Sequence, residues 1–247
     1  MNRTLSAILL AYLLSPSIHA ATLGNFTYTD KGSTITIDDF THYIKGDIVV
    51  PATINGKPVT EIGPRAFFAC RRITSISLPD SVTRIGDSAF SVCDKMLSVN
   101  IPSGVTAIED QTFYSCRALE QLSLPAGITR IGAGAFQSCT SLKSFVLPPL
   151  VTTFSQNMLG SCMSLTSITI PSRVTRIEDG ALAGTGVKSL LIPKTVQYLG
   201  QRQFYGCGNL RKVEIQPEIR EVGEMMFAFC PGLEEVKLPK SVRKIGV

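Results

Sequence analysis

Seven cysteines fall in a single column of a repeating pattern, and that repeat leaves the chain few ways to fold. Cys70, Cys93, Cys116, Cys139 and Cys162 follow one another at intervals of 23 residues, as do Cys207 and Cys230. The interval between Cys162 and Cys207 is one period of 23 and one of 22, and Thr185 stands where the intervening cysteine belongs. The prolines keep the same rhythm independently. Pro79, Pro102, Pro125, Pro148 and Pro171 are spaced by 23, Pro193 follows at 22, and Pro239 comes two periods later.

Each unit reads C-x-x-L-x-x-I-x-L-P-x-x-V-T-x-I-G-x-x-A-F-x-x, with Leu, Ile and Val interchanging, as in Cys116–Ser138. Leu119, Leu122 and Leu124 have the spacing of a short strand with alternate residues inward. Pro125 has no amide to donate and ends the pairing. Ile128 and Ile131 make a second extended piece, after which Gly132 allows a turn. Ala135, Phe136 and Cys139 fit a single helical turn with its apolar face inward. One unit has too little core to fold alone. Stacked units bury a continuous ladder of Leu, Ile, Phe and Cys under a parallel sheet, so the expected fold is a β-rich repeat solenoid of 23-residue period.

Met1–Ala20 lies outside the repeat and reads as a secretory signal peptide, with Arg3 before the apolar Leu5–Leu14 and small residues at Ala20 and Ala21. No other stretch supplies the roughly 20 consecutive apolar residues of a membrane span, and no cysteine follows the cleavage site to carry a lipid. Secretion or cell-surface display, with no anchor in this chain, is the expected location. Residues 21–46 are expected to form an N-terminal cap and residues 47–247 the repeats, the last of them incomplete.

The residues Leu78-Pro79-Asp80-Ser81-Val82-Thr83-Arg84-Ile85-Gly86, followed by Ala89-Phe90 and Cys93, closely resemble the BspA-like (Treponema pallidum-type) leucine-rich repeat, LPxSVTxIGxxAFxxC. Asp47–Gly63 resembles the first repeat of that family with a loop inserted before Val59. The resemblance covers residues 32–247. It implies a right-handed leucine-rich-repeat solenoid and a surface or secreted protein that binds matrix, host or other cell-surface proteins. The usual asparagine position holds Ser81, Gly104, Gly127 or Arg173, and the unit at Val151–Cys162 has lost its Ile-Gly and Ala-Phe pairs. A local irregularity is expected around residues 150–190.

Function in such a fold falls to the variable columns. On the first strand the outward residues are Ser75, Ser98, Gln121, Ser144 and Ser167, with Ser77, Asn100, Ser123, Val146 and Thr169 beside them. This polar, small-residue face is the candidate protein-binding surface, and an extracellular or host protein the expected partner. On the second strand Arg84, Arg130 and Arg176 recur every second turn, roughly 10 Å apart at about 5 Å per stacked strand. That basic stripe is the alternative, as a site for an acidic glycan. Lys212 beside Glu235 and Glu214 beside Lys237 read as register-fixing pairs.

No catalytic, metal or cofactor residues are expected. His42 is the one histidine of the mature chain, and Asp38 and Asp39 near it read as a solvated loop. Cysteines spaced by 23 do not have ligand spacing, and their parallel Cβ vectors argue for buried thiols over disulfides. A modest formal charge of +5 and the lack of interleaved aromatic and basic residues argue against nucleic acid. The final unit stops at Val247 before its Ala-Phe-x-x-Cys turn, which reads as a truncation or a short gene in preference to an oligomer through that uncapped edge, and a structural spacer fragment of a larger surface protein is a further alternative function.

Overall fold

The computed structural model describes residues 20–246. The leader read at Met1–Ala20 lies outside the described residues except for Ala20, as does Val247. Strands β1 (Ala20–Leu23), β2 (Phe26–Asp30) and β3 (Ile35–Phe40) form an antiparallel meander. They are followed by β4 (Gly46–Val49), β5 (Thr53–Ile54) and β6 (Lys57–Ile62). β3 pairs in parallel with β6, so the meander becomes the first layer of the stack. β5 and β6 form the expected inserted loop, a hairpin over Asn55-Gly56, both left-handed as a type I′ turn requires.

Beyond the cap the chain coils with three walls per turn. The first wall begins with β4, Ile73–Ser77 and Ser98–Val99, which pair in parallel. The second is built of two-residue parallel strands from Arg84–Ile85 to Lys244–Ile245, pairing in-register equivalents such as Thr153 with Arg176. The third wall is the Ala-Phe-x-x segment. It is not the expected helical turn: the described residues hold no helix. Each third wall instead has two left-handed residues four apart, as in Arg65 and Ala69, Ser88 and Val92, or Gln111 and Ser115.

A left-handed conformation costs a non-glycine residue about 1–2 kcal/mol, and most of these residues are not glycine. What offsets the cost is an amide ladder between turns. Arg65, Phe67 and Ala69 donate to the carbonyls of Asp87, Ala89 and Ser91 at 2.8–2.9 Å, while Ala66, Phe68 and Cys70 donate within their own turn. The same alternation runs on through Ser88, Phe90 and Val92 and through Gln111, Phe113 and Ser115. Each bond contributes about 0.5–1.5 kcal/mol net, so bonds and strain are of like size and the corner holds only when stacked.

Under this wall lies an aromatic column. Phe40 of the cap heads it, and Phe67, Phe90, Phe113 and Phe136 follow with centroids 5.2–5.5 Å apart. Leu159 and Leu182, fully buried, hold the next two places before Phe204 and Phe227 resume the stack at 5.5 Å. The cysteines are free, as the parallel column implied. Six thiols donate to a phenylalanine carbonyl one turn earlier, as Cys93 to Phe67 at 3.2 Å, Cys116 to Phe90 at 3.1 Å and Cys139 to Phe113 at 3.1 Å, while Cys207 donates to Leu182 at 3.4 Å. Thr185, in the cysteine place, donates to Leu182 in its own turn at 2.8 Å.

One expectation needs correction. Gly132 is not there for a special φ. A Cβ on it would stand 2.5 Å from the Asp110 amide nitrogen, and one on Gly86 would stand 2.6 Å from that of Pro64, so at these two positions glycine allows close approach of successive turns, while Glu109, Ser155 and Glu178 occupy the same column in other turns. The irregularity expected around residues 150–190 is present but narrow. Around 150–190 the second wall keeps its register, with Phe154, Met158 and Leu159 fully buried in place of the usual residues. The missing residue is absorbed at Gly186, where a Cβ would stand 2.1 Å from the Met163 carbonyl oxygen.

The first wall is the wall that opens. No backbone bond joins Gln121–Leu124, Ser144–Leu147 and Ser167–Ile170 to one another or to the strands on either side, and pairing resumes at Ser189–Ile192. The inward column here runs Ile76, Val99, Leu122, Phe145, Ile168, Leu190. Phe145 packs edge-on against Phe136 at 5.2 Å, the one ring in this column. Arg173 bridges part of the gap, with Nη2 donating to the carbonyls of Leu147 at 2.7 Å and Pro148 at 3.0 Å.

Gly186→Ala should lower stability by about 1–3 kcal/mol through overpacking. Gly208→Ala, where a Cβ meets nothing within 4 Å, should change it little; urea midpoints of the two variants check this. The thiols make a second prediction. Burial pushes Cys70 and Cys162 up to about 12, and Cys93, Cys116 and Cys139 well above the ordinary 9.0. Unfolded thiols ionise near about 8.5, so the unfolded chain releases protons first. Stability is therefore level below that pH and falls as pH rises toward about 12. Cys116→Ala should flatten part of that slope in alkaline urea titrations.

Candidate binding faces

Residues of the first wall alternate, so every second side chain faces solvent. All ten candidate residues project outward, and nine are exposed. Ser75 is half-buried because its hydroxyl, with that of Thr74, donates to Asp47 Oδ1 at 2.7 Å, which holds that carboxyl below its usual range. β4 adds two residues that sequence reasoning missed. Asp47 lies beside Ser75 and Val49 beside Ser77, extending both columns by one turn. The signal was Val50-Pro51, which has the form of the Leu-Pro or Ile-Pro pair that ends every later first strand except the one at Ile215-Gln216.

The face is less uniform than its serines suggest. Val49 is 71% and Val146 82% exposed, and Leu191 also faces solvent. Where the ladder opens, Gln121–Leu124 and Ser144–Pro149 flank a shallow cleft. A second depression lies where pairing resumes, between Ile168–Ile170 and Ser189–Leu191. Asn100 has a structural role at the edge of the gap. Its amide accepts from the Leu78 N–H at 2.7 Å and donates to the Leu78 carbonyl at 2.8 Å, replacing the missing next strand. At the far end Lys212 pairs with Glu235 at 3.3 Å and Lys237 with Glu214 at 4.0 Å.

The arginines of the second wall are exposed and aligned, but each has an acidic neighbour. Arg84 lies 3.6 Å from Glu61, Arg130 contacts Glu109 and lies 3.7 Å from Asp110, and Arg176 lies 3.0 Å from Glu178. Arg176 also covers the Tyr198 ring at 4.0 Å. Exposed pairs of this kind are worth at most about 1 kcal/mol each. Their main effect is to cancel the field of the stripe.

Near the cap, Asp38 accepts from the Thr29 hydroxyl at 2.6 Å, and His42 lies 3.6 Å from Asp39 with both more than half exposed. The three do not converge on a cleft. Among the described residues no group of three or more His, Cys, Asp or Glu is placed to hold a metal, and no helix is long and apolar enough to cross a membrane.

Residues 60–186 and 177–247 match the family model of the BspA-type leucine-rich repeat region. A leucine-rich cell-surface protein of Faecalibacterium prausnitzii is 28% identical with a TM-score of 0.77, over 94% of this chain and 74% of that one. A leucine-rich-repeat protein of Bacteroides ovatus is 28% identical with a TM-score of 0.57, over 92% and 79%. A pneumococcal vaccine antigen shares the fold at 17% identity, with a TM-score of 0.54 over 92% and 71%. No curated protein matches the chain.

Replacing Asn100 by Ala strands the Leu78 amide and carbonyl and should cost about 1–3 kcal/mol. Hydrogen exchange at Leu78 should quicken, while that of Phe67 on the third wall stays slow.

Proposed function

The chain belongs to the BspA-type leucine-rich repeat family, and from that premise we propose that it is a non-enzymatic, secreted or cell-surface adhesion module that binds an extracellular or host protein through its first wall. The observation that carries this reading is the opened stretch between Val99 and Ser189. There a row of small hydroxyls surrounds the exposed Val146, and the amides of Ser144–Leu147 make no bond to the neighbouring turns. Small side chains let another surface approach closely, and exposed valine and leucine supply apolar area to bury. The similar Faecalibacterium protein is described as a cell-surface protein, which supports the same location here.

The acids beside Arg84, Arg130 and Arg176 count against the second wall as the site for an acidic glycan. A screen of the purified chain against arrayed matrix proteins and sulfated glycans, between about 0.05 and 0.5 M salt, separates the two. The expected result is a protein hit that survives high salt. It should weaken at least about tenfold, or about 1.4 kcal/mol, on Val146→Glu and be unmoved by Arg130→Ala. A glycan hit that salt and Arg130→Ala both abolish would sink the first-wall reading.

A further inference from the structure

Along the edge where the second wall turns into the third, three depressions join into one groove. One is lined by Asp87, Asp110, Gln111, Gln137, Gln156 and Asn157. The next shares Gln156 and Asn157 and continues past Asp179 and Gln201 to Tyr205. The third joins Gln156 and Asp179 to Tyr198. Five consecutive turns thus each place a planar amide or carboxylate in the groove: Gln111, Gln137, Asn157, Asp179 and Gln201, with Gln156 beside Asn157.

Among the described residues, none of the five amide side chains bonds within the chain, as is also true of Gln121, Gln197 and Asn209 elsewhere, whereas Asn55, Asn100, Gln203 and Gln216 do bond. Asn157 suits its left-handed backbone, but Gln111 sits at φ 53°, where glycine would cost less. The floor accommodates these groups. A Cβ on Gly180 would stand 2.4 Å from Asn157 Oδ1, and one on Gly134 would stand 3.2 Å from Gln137 Oε1, so both glycines leave room for the amides to lie along the wall. Asp179 is anchored by accepting from the Gln201 backbone N–H at 3.0 Å, and its second oxygen has no partner. Tyr205, packed edge-on against Phe229 at 5.1 Å, forms a half-open aromatic surface at one end.

We propose that this groove binds an uncharged polysaccharide chain laid along the solenoid. Amides and carboxylates form paired hydrogen bonds with neighbouring hydroxyls, and a tyrosine face covers the C–H face of a sugar ring. Asp87, Asp110, Glu178 and Asp179 outnumber Arg176 and Arg202 along the groove and disfavour an anionic polymer. Turns about 4.8 Å apart follow one another at nearly the length of one pyranose ring, so each turn meets one sugar. The site is separate from the first wall and does not depend on the function proposed for it.

Calorimetric titration of the full chain with gluco-, xylo- and manno-oligosaccharides of increasing length tests the proposal. Affinity should rise to about five sugars, one per turn at about 4.8 Å, and then level off. It should hold between about 0.05 and 0.5 M salt. The combined Gln137→Ala, Gln156→Ala and Gln201→Ala variant should lose at least about tenfold with an unchanged thermal midpoint. Tyr205→Ala should also weaken binding, and Val146→Glu should leave it alone. No binding by any of the three series, binding indifferent to the triple substitution, or binding lost with Val146→Glu would overturn the proposal.

Discussion

The hydrogen bonds between successive third walls are what the rest of the structure depends on. Arg65, Phe67 and Ala69 each reach the turn ahead, and the pattern repeats with few omissions as far as the Gly206 bond to Ala228. The first wall is unpaired through its middle, and the second contributes only two-residue strands. The phenylalanine stack and the thiol bonds to phenylalanine carbonyls lie directly beneath this one wall. A core of aligned rings, a row of carbonyls with two donors each and a ladder of alternating amides therefore reinforce one another in the same few residues of every turn. No single turn holds its left-handed residues unaided, and this is why the fold is cooperative along its length.

Much of this was legible in the sequence. The column of cysteines and the in-out alternation of Leu119, Leu122 and Leu124 are periodic, and periodicity survives substitution. The third wall was not legible, because a left-handed backbone normally announces itself as glycine, and here Ala69, Val92 and Ser115 adopt it under the force of stacking. The opening of the first wall was hidden as well, since Leu122, Phe145 and Ile168 keep the inward apolar pattern of the paired strands. The outward residues of the first wall were found because alternation alone assigns them. The groove residues fall in the unpatterned positions of the repeat, and only stacking shows that Gln111, Gln137 and Gln201 share an edge.

Charge is handled column by column. Arg71 and Arg117 both approach Asp94, Glu120 meets Lys143 at 2.6 Å, and Glu221 meets Lys244 at 2.6 Å. Like charges at the same position of consecutive repeats repel at about 5 Å, and opposite charges or neutral spacers relieve this. The arginines of the second wall use both: Glu61 precedes Arg84 in the column, and Ala107 and Thr153 separate Arg84, Arg130 and Arg176.

The thiol column has a consequence for how such a chain fails. In the fold each sulfur is confined under the third wall and bonded to a carbonyl, and six of the seven are fully shielded from water. In an oxidising medium that shielding is kinetic protection. Once the stack opens, seven thiols of equal reactivity meet in one flexible chain with nothing to favour any pairing, and each bridge formed between distant turns removes the in-register arrangement that the ladder needs. Unfolding under such conditions is a ratchet, and the protein's working lifetime is set by how rarely its turns part, not by the depth of its equilibrium stability.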